Sequence, residues 1–216
     1  MSKIVLFDLD GTLLDTEKDF TQILNAQLAR YGHPSVPASR VRNTVSSGAR
    51  ALIKLGFGID ESDDRFAGLL EELLETYAER VRQPECVLFP GVAELLQHLN
   101  NQCIPWGIVT NKPSRFTLPL AEKISELAQT AVLICPDHLS NSKPDPEGIL
   151  LACQRMARSP VEALYIGDHP KDMEAARAAG ALGVGVRWGY IPEEHPIESW
   201  GADLIIDHPM DLIAHI

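Results

Sequence analysis

Hydrophobic positions along this chain of 216 residues fall into two regimes. The first is a short continuous run, Ile4-Val5-Leu6-Phe7, stopped by Asp8-Leu9-Asp10-Gly11. A β-branched and aromatic run of that length reads as a strand buried on both faces. After Asp15 the spacing changes to that of helices for about seventy residues. Phe20, Ile23, Leu24, Leu28 and Tyr31 fall near one face, and Gly32-His33-Pro34 ends that helix. Shorter helices are expected over 39–45 and 49–55, the second stopped by Gly56 and Gly58. A longer one runs over 63–82, with Phe66, Leu69, Leu70, Leu73, Leu74 and Tyr77 as its apolar stripe. Pro84 and Pro90-Gly91 close this stretch.

From there helices and strands alternate. Helices are expected over 92–100, 115–128, 146–157 and 171–179, the last closed by Gly180. Strands are expected at 106–110, 131–134, 163–166, 184–186 and 203–206. Alternation of this kind implies parallel strands joined by crossover helices. The expected fold is therefore an α/β core, residues 1–15 and 86–216, with a small all-helical cap, residues 16–85, inserted after the first strand.

Composition narrows the function classes. A hydrophobic content of 45% and a mean hydropathy of -0.05 suit a globular chain. The net charge of -11 argues against nucleic acid or an anionic membrane surface as partner, since both need clustered Lys and Arg. No apolar run approaches the roughly 20 residues of a membrane span, and the N-terminus lacks the pattern of a signal peptide. Cys86, Cys103, Cys135 and Cys153 form no Cys-x-x-Cys pair and are expected as small buried hydrophobes in a reducing compartment. The expectation is a cytoplasmic, soluble protein, for which a small anionic substrate stays open provided cations are concentrated at one site. Nothing in the pattern demands a dimer, so a monomer is favoured.

The chemistry gathers at strand ends. Residues i and i+2 of a strand point the same way, so Asp8 and Asp10 should converge at the C-terminal tip of the first strand. Open α/β sheets bind ligands outside those tips. Two carboxylates there repel unless a cation or shared proton intervenes; the blander reading is that they cap the turn. The second strand runs into Thr110-Asn111-Lys112, the third region leads to Lys143-Pro144-Asp145-Pro146, and the fourth ends in Gly167-Asp168, with Asp172 four residues on.

This set resembles the haloacid dehalogenase superfamily of phosphohydrolases. Its four motifs are matched in order by Asp8-Leu9-Asp10-Gly11-Thr12, Thr110-Asn111, Lys143, and Gly167-Asp168 with Asp172. The helical insert falls where that family places a C1 cap, and the match spans nearly the whole chain. Each motif alone is weak; four together are specific. Within the family the chain is similar to the phosphoglycolate phosphatase-like group and, more narrowly, to the N-acetylmuramic acid 6-phosphate phosphatases of peptidoglycan recycling. The stretches that carry the narrower match are residues 45–50, 109–116 and 133–146, Trp188-Gly189-Tyr190 and Trp200-Gly201-Ala202-Asp203.

The resemblance implies a Rossmann-like three-layer core and a Mg²⁺-dependent phosphomonoesterase. Asp8 would be the nucleophile, forming an aspartyl-phosphate. Asp8 and Asp168 would ligate Mg²⁺ through carboxylates, Asp10 through its backbone carbonyl, with Asp172 ordering the metal's water. The Asp10 side chain would act as general acid and then base. Lys143 would stabilise Asp8 and the moving phosphoryl group, and Thr110 and Asn111 would donate to phosphate oxygens. Arg50 in the cap and Arg115 after the second strand are candidates for the leaving group, Arg115 for a carboxylate on it. His169 stands where relatives often carry Ser or Asp. Among other activities of the superfamily, dehalogenases lack an acid at the Asp10 position. Phosphonoacetaldehyde hydrolases use a cap lysine, and the surroundings of Lys18 and Lys54 do not match one. A phosphomutase shares the core motifs but would need a cap that excludes water. A non-catalytic binding protein of this fold should have lost Asp8, Asp10, Lys143 or Asp168, and all four are present.

Overall fold

The computed structural model describes residues 3–191 and 195–216. The opening run forms β1 (Ile4–Phe7), every residue of it buried. A tight turn leads to β2 (Leu14–Asp15). Four helices follow, α1 (Glu17–Arg30), α2 (Ala38–Val45), α3 (Ala49–Phe57) and α4 (Phe66–Arg80). The chain returns through β3 (Val87–Leu88), which pairs antiparallel with β2. Alternation then begins with α5 (Val92–Asn101), β4 (Trp106–Val109), α6 (Ser114–Lys123) and β5 (Val132–Ile134). It continues through α7 (Glu147–Arg155), β6 (Ala163–Gly167), α8 (Pro170–Ala179), β7 (Leu182–Val186) and β8 (Leu204–Ile206).

Six strands form one sheet in the order β5-β4-β1-β6-β7-β8, and every pairing in it is parallel. Alternate residues of β1 serve opposite layers. Val5 and Phe7 pack with Leu95, Leu96 and Leu99 of α5. Ile4 and Leu6 pack with Ile149 and Ala152 of α7 and Ala176 of α8. A parallel sheet covered on both faces needs a continuous apolar strand rather than an alternating one, which is why β1 reads as an unbroken run. The fold is α/β, a Rossmann-like three-layer core with helices between and after its strands. Among the described residues no helix is long and apolar enough to cross a membrane.

The inserted helices pack mainly on each other, α1 against α2, α3 and α4. Gln27, buried in α1, donates to the Leu69 carbonyl of α4 at 2.8 Å. Asp19, fully buried, accepts from the backbone of Glu85 and Cys86, each at 3.2 Å, and from Arg80 at 3.1 Å. One carboxylate thus ties the first turn of the insert to the segment by which it returns.

Three expectations need correction. Gly56 does not stop α3, which runs on to Phe57; a side chain at Gly56 would meet Leu24 and Leu28 of α1 at 3.0–3.2 Å. The glycine therefore allows close helix packing, and the stop is Gly58 in the left-handed conformation. The helix expected over 115–128 ends at Lys123, because Ile124 takes an extended backbone and packs its side chain on the core. Cys103 is exposed. It holds the left-handed position (φ 54°) that turns the chain out of α5.

Candidate active site

The C-terminal edge of the sheet assembles the predicted residues from four segments. β1 ends at Phe7, so Asp8 and Asp10 lie in the turn beyond it rather than in the strand. Both line one chamber, and each is held there by a different lysine. Lys143 reaches Asp8 at 3.0 Å, whereas Lys112 donates to both oxygens of Asp10 at 2.8 and 2.9 Å. Thr16 adds a third hydrogen bond to Asp10, at 2.9 Å. Gly11 makes the turn with φ +82°, and a Cβ there would lie 2.0 Å from Asp168; only glycine fits on both counts.

Asp8, Asp168 and Asp172 bring carboxylate oxygens within 4.8 Å of one another. Asp168 is fully buried and accepts from the hydroxyls of Thr12 (3.1 Å) and Ser46 (2.9 Å) and from the Tyr190 backbone (3.0 Å). Asp172 opens α8 and accepts from Lys143 at 2.7 Å. Lys143 also donates to the Tyr165 hydroxyl at 2.8 Å, which in turn donates a hydrogen bond to the Val109 carbonyl at 2.7 Å. Burial pushes Asp168 up to about 8, reinforced by Asp8 and Asp172. Burial likewise raises Asp8 to about 6, with Asp172 adding to the rise and Lys143 opposing it. Burial alone would lower Lys143, but Asp172 and Asp8 outweigh it and hold the ammonium above its usual value. With all three ionised, three carboxylates against one ammonium would carry a surplus of about two negative charges in a low-dielectric site, which is why Asp168 and Asp8 hold protons so readily without a cation. Hard oxygen donors with that surplus fit a divalent cation such as Mg²⁺.

The Thr110 hydroxyl accepts from the Lys112 backbone at 3.2 Å. Asn111, expected to donate to phosphate, spends an amide hydrogen on the Lys143 carbonyl at 2.9 Å and accepts from the Lys143 backbone at 3.1 Å. It clamps the lysine loop to the end of β4. Beside Asp8 opens a chamber of about 160 Å³ whose walls include Asp8, Asp10, Phe20, Tyr77, Lys112 and Phe116. Arg50 and Arg115 do not line it. Arg50 stands exposed in the first turn of α3, near Glu61. Arg115, also exposed, pairs with Glu75 at 3.4 Å and lies over the Phe116 ring. Lys112, just before α6, and Phe116, in its first turn, are buried at the chamber, whereas Arg115 stays outside.

Lys112 stands in the Thr110-Asn111-Lys112 strand end and Ser46 in the 45–50 stretch, but neither has a role assigned from sequence. Tyr165 and Thr16 went unmarked: Tyr165 lies mid-strand and Thr16 belongs to no motif, so nothing local marks them. His169 caps α8, its Nδ1 accepting from the Lys171 backbone at 3.2 Å. Burial, with Lys171 adding to it, pushes the ring down to about 4, which keeps it neutral, the state in which it can accept.

Known proteins place this arrangement. The family model of the haloacid dehalogenase-like hydrolases matches residues 5–186. The chain is 45% identical to the N-acetylmuramic acid 6-phosphate phosphatase of Pseudomonas putida, over 97% of this chain and 94% of that protein. It is 37% identical to the phosphoglycolate phosphatase of Xanthomonas campestris, over 97% of this chain and 94% of the relative. A crystal structure of a predicted phosphoglycolate phosphatase from Haemophilus somnus superposes with a TM-score of 0.87 at 25% identity, covering 99% of this chain and 97% of that one. With the four motif segments meeting at one sheet edge, the chain belongs to the haloacid dehalogenase-like hydrolase family and is a phosphatase of that family.

Proposed function

We propose that this chain is a Mg²⁺-dependent phosphomonoesterase that works through an aspartyl-phosphate on Asp8, with N-acetylmuramic acid 6-phosphate as its substrate. The observation that carries the chemistry is Asp8 at the chamber wall, held by Lys143 at 3.0 Å beside the Asp168–Asp172 pair. The substrate reading rests on the 45% identity to the Pseudomonas putida enzyme. It implies a role in peptidoglycan recycling in the cytoplasm. Residues 16–85 would act as the cap over a core of 1–15 and 86–216.

Asp8 and Asp168, with the Asp10 carbonyl, would hold Mg²⁺, and Asp172 would order its water. When bound, the metal offsets the repulsion between an attacking carboxylate and a phosphate dianion. Asp8 attacks phosphorus through the oxygen not held by Lys143. Lys143 keeps Asp8 ionised against the burial that raises it, and its ammonium faces the charge that develops on the phosphoryl oxygens. Thr110 and the second amide hydrogen of Asn111 donate to those oxygens. Asp10 gives a proton to the leaving oxygen, then takes one from the water that hydrolyses the acyl phosphate, a contribution of about 10²–10⁴-fold.

A second reading, phosphoglycolate as substrate, is favoured by the compactness of the chamber. Phosphate release with Mg²⁺ separates the two. Under the first reading kcat/KM for N-acetylmuramic acid 6-phosphate exceeds that for 2-phosphoglycolate by about 100-fold. The reverse preference moves the protein to the second reading, and undiminished turnover in EDTA removes the metal from both.

A further inference from the structure

Only two lysines are buried among the described residues, and no arginine is. Lys143 is fully committed to Asp8, Asp172 and Tyr165. Lys112 is different, because it faces the chamber. Its ammonium lies 4.6 Å from the centre of the Tyr77 ring and 5.3 Å from that of Phe20, both supplied by the insert. Phe20 stacks on Tyr77 at 4.3 Å and 19°, and Phe116 closes the other side of Tyr77 at 5.2 Å. The cation therefore sits in an aromatic cradle shared by core and insert, where a nearby anion is attracted far more strongly than in water.

A second observation points to a ligand at the same place. Tyr77 is 1% exposed, and its hydroxyl has no hydrogen-bond partner. Burying a phenol without a partner costs about 1–3 kcal/mol, so an aromatic wall alone would be served better by phenylalanine. A hydroxyl retained in the wall of a chamber is explained by a ligand atom that completes it. The chamber thus offers one ammonium between apolar walls, and one of its wall residues, Tyr77, carries an unspent phenol. That set suits an acidic group carried on a small carbon frame.

We infer that Lys112, with Tyr77 beside it, is the element that reads the leaving group, selecting alcohols that carry a carboxylate. The carboxylate draws Lys112 from Asp10 and accepts from the Tyr77 hydroxyl, which frees an Asp10 oxygen to face the ester oxygen. Esters without the acid leave the Lys112–Asp10 pair closed and turn over slowly. This inference rests on the phosphatase reading above and assigns the task first expected of Arg50 and Arg115 to a different residue.

Matched substrates test it. N-Acetylmuramic and N-acetylglucosamine 6-phosphates differ in the lactyl acid, and 2-phosphoglycolate and 2-hydroxyethyl phosphate differ in carboxylate against alcohol. In the better-used pair, wild-type kcat/KM should favour the acid by about 30-fold or more. Lys112→Gln should bring that ratio within about threefold, and Tyr77→Phe should lower it several-fold without lowering Tm. An unchanged ratio in Lys112→Gln, with both members slowed equally, overturns the inference and leaves Lys112 as a positioning residue for Asp10. Should that variant fail to fold, inhibition of the wild-type protein answers the same question. The free alcohol bearing the acid should compete about tenfold better than its neutral twin, and equal inhibition overturns the inference. Absence of turnover on any phosphate ester defeats the phosphatase reading itself, whereas turnover with no preference for acids defeats this inference alone.

Discussion

The two sides of the site are built on opposite principles. On the proposed phosphate side, Asp168, Asp172 and Lys143 are buried and Asp8 nearly so, and each has named partners at 2.7–3.1 Å. On the proposed leaving-group side, aromatic rings from the insert and core surround one ammonium and a hydroxyl with no partner. The first side is complete before any ligand arrives, apart from its surplus of negative charge. The second is unfinished. Fixed polar geometry suits the phosphoryl group that every substrate of such an enzyme shares, and an under-satisfied apolar chamber suits the part that varies.

Substitutions can break that contrast. Asp8→Asn should remove turnover by about 10³-fold or more, read as initial rate. Its Tm should not fall, because the carboxylate is costly to bury. Lys143→Met strips the buried carboxylates of their one ammonium, and chemical denaturation should show a loss of about 3–5 kcal/mol. The third effect depends on pH. Asp168 has a folded value of about 8 against an ordinary 3.8, and Asp8 about 6. Between about pH 4 and 8 the folded chain holds protons that the unfolded chain has released, so these groups cost stability increasingly as pH rises. In EDTA, Asp168→Asn should therefore gain on wild type in Tm from pH 5 to pH 8; a constant difference would contradict the raised value. On the chamber side the stability responses should be small, with Tyr77→Phe stabilising by up to about 1 kcal/mol. Beside Asp168, His169→Ala, which removes the α8 cap, should cost about 1 kcal/mol.

The same contrast governs what could be read from sequence. The phosphate side is written in contiguous signals, such as an apolar strand broken by Asp8-Leu9-Asp10-Gly11 and a helix opened after Gly167-Asp168. Unbroken apolar runs and period-3.6 patterns placed the strands and helices because burial dictates them. The chamber side has no such signature. Tyr77 and Phe20 look like ordinary core positions on amphipathic helices, and only tertiary packing turns their rings toward Lys112. Arg50 and Arg115 drew notice as cations near motifs, yet both stand exposed on helices, Arg115 paired with Glu75. Charge near a motif in sequence is a weak guide to charge inside a site.

Asp19 sets where such a chain can be cut and rebuilt. Its carboxylate closes a seam between the start of the insert and the segment through which the chain returns. Everything that varies the leaving-group wall from the insert lies between those two threads. A graft cut at Thr16 and Cys86 would carry Asp19, Arg80 and Glu85 together, so each donor insert would bring its own fastening. Moving either boundary inward by a few residues would separate the carboxylate from its partners and leave a buried charge at the join.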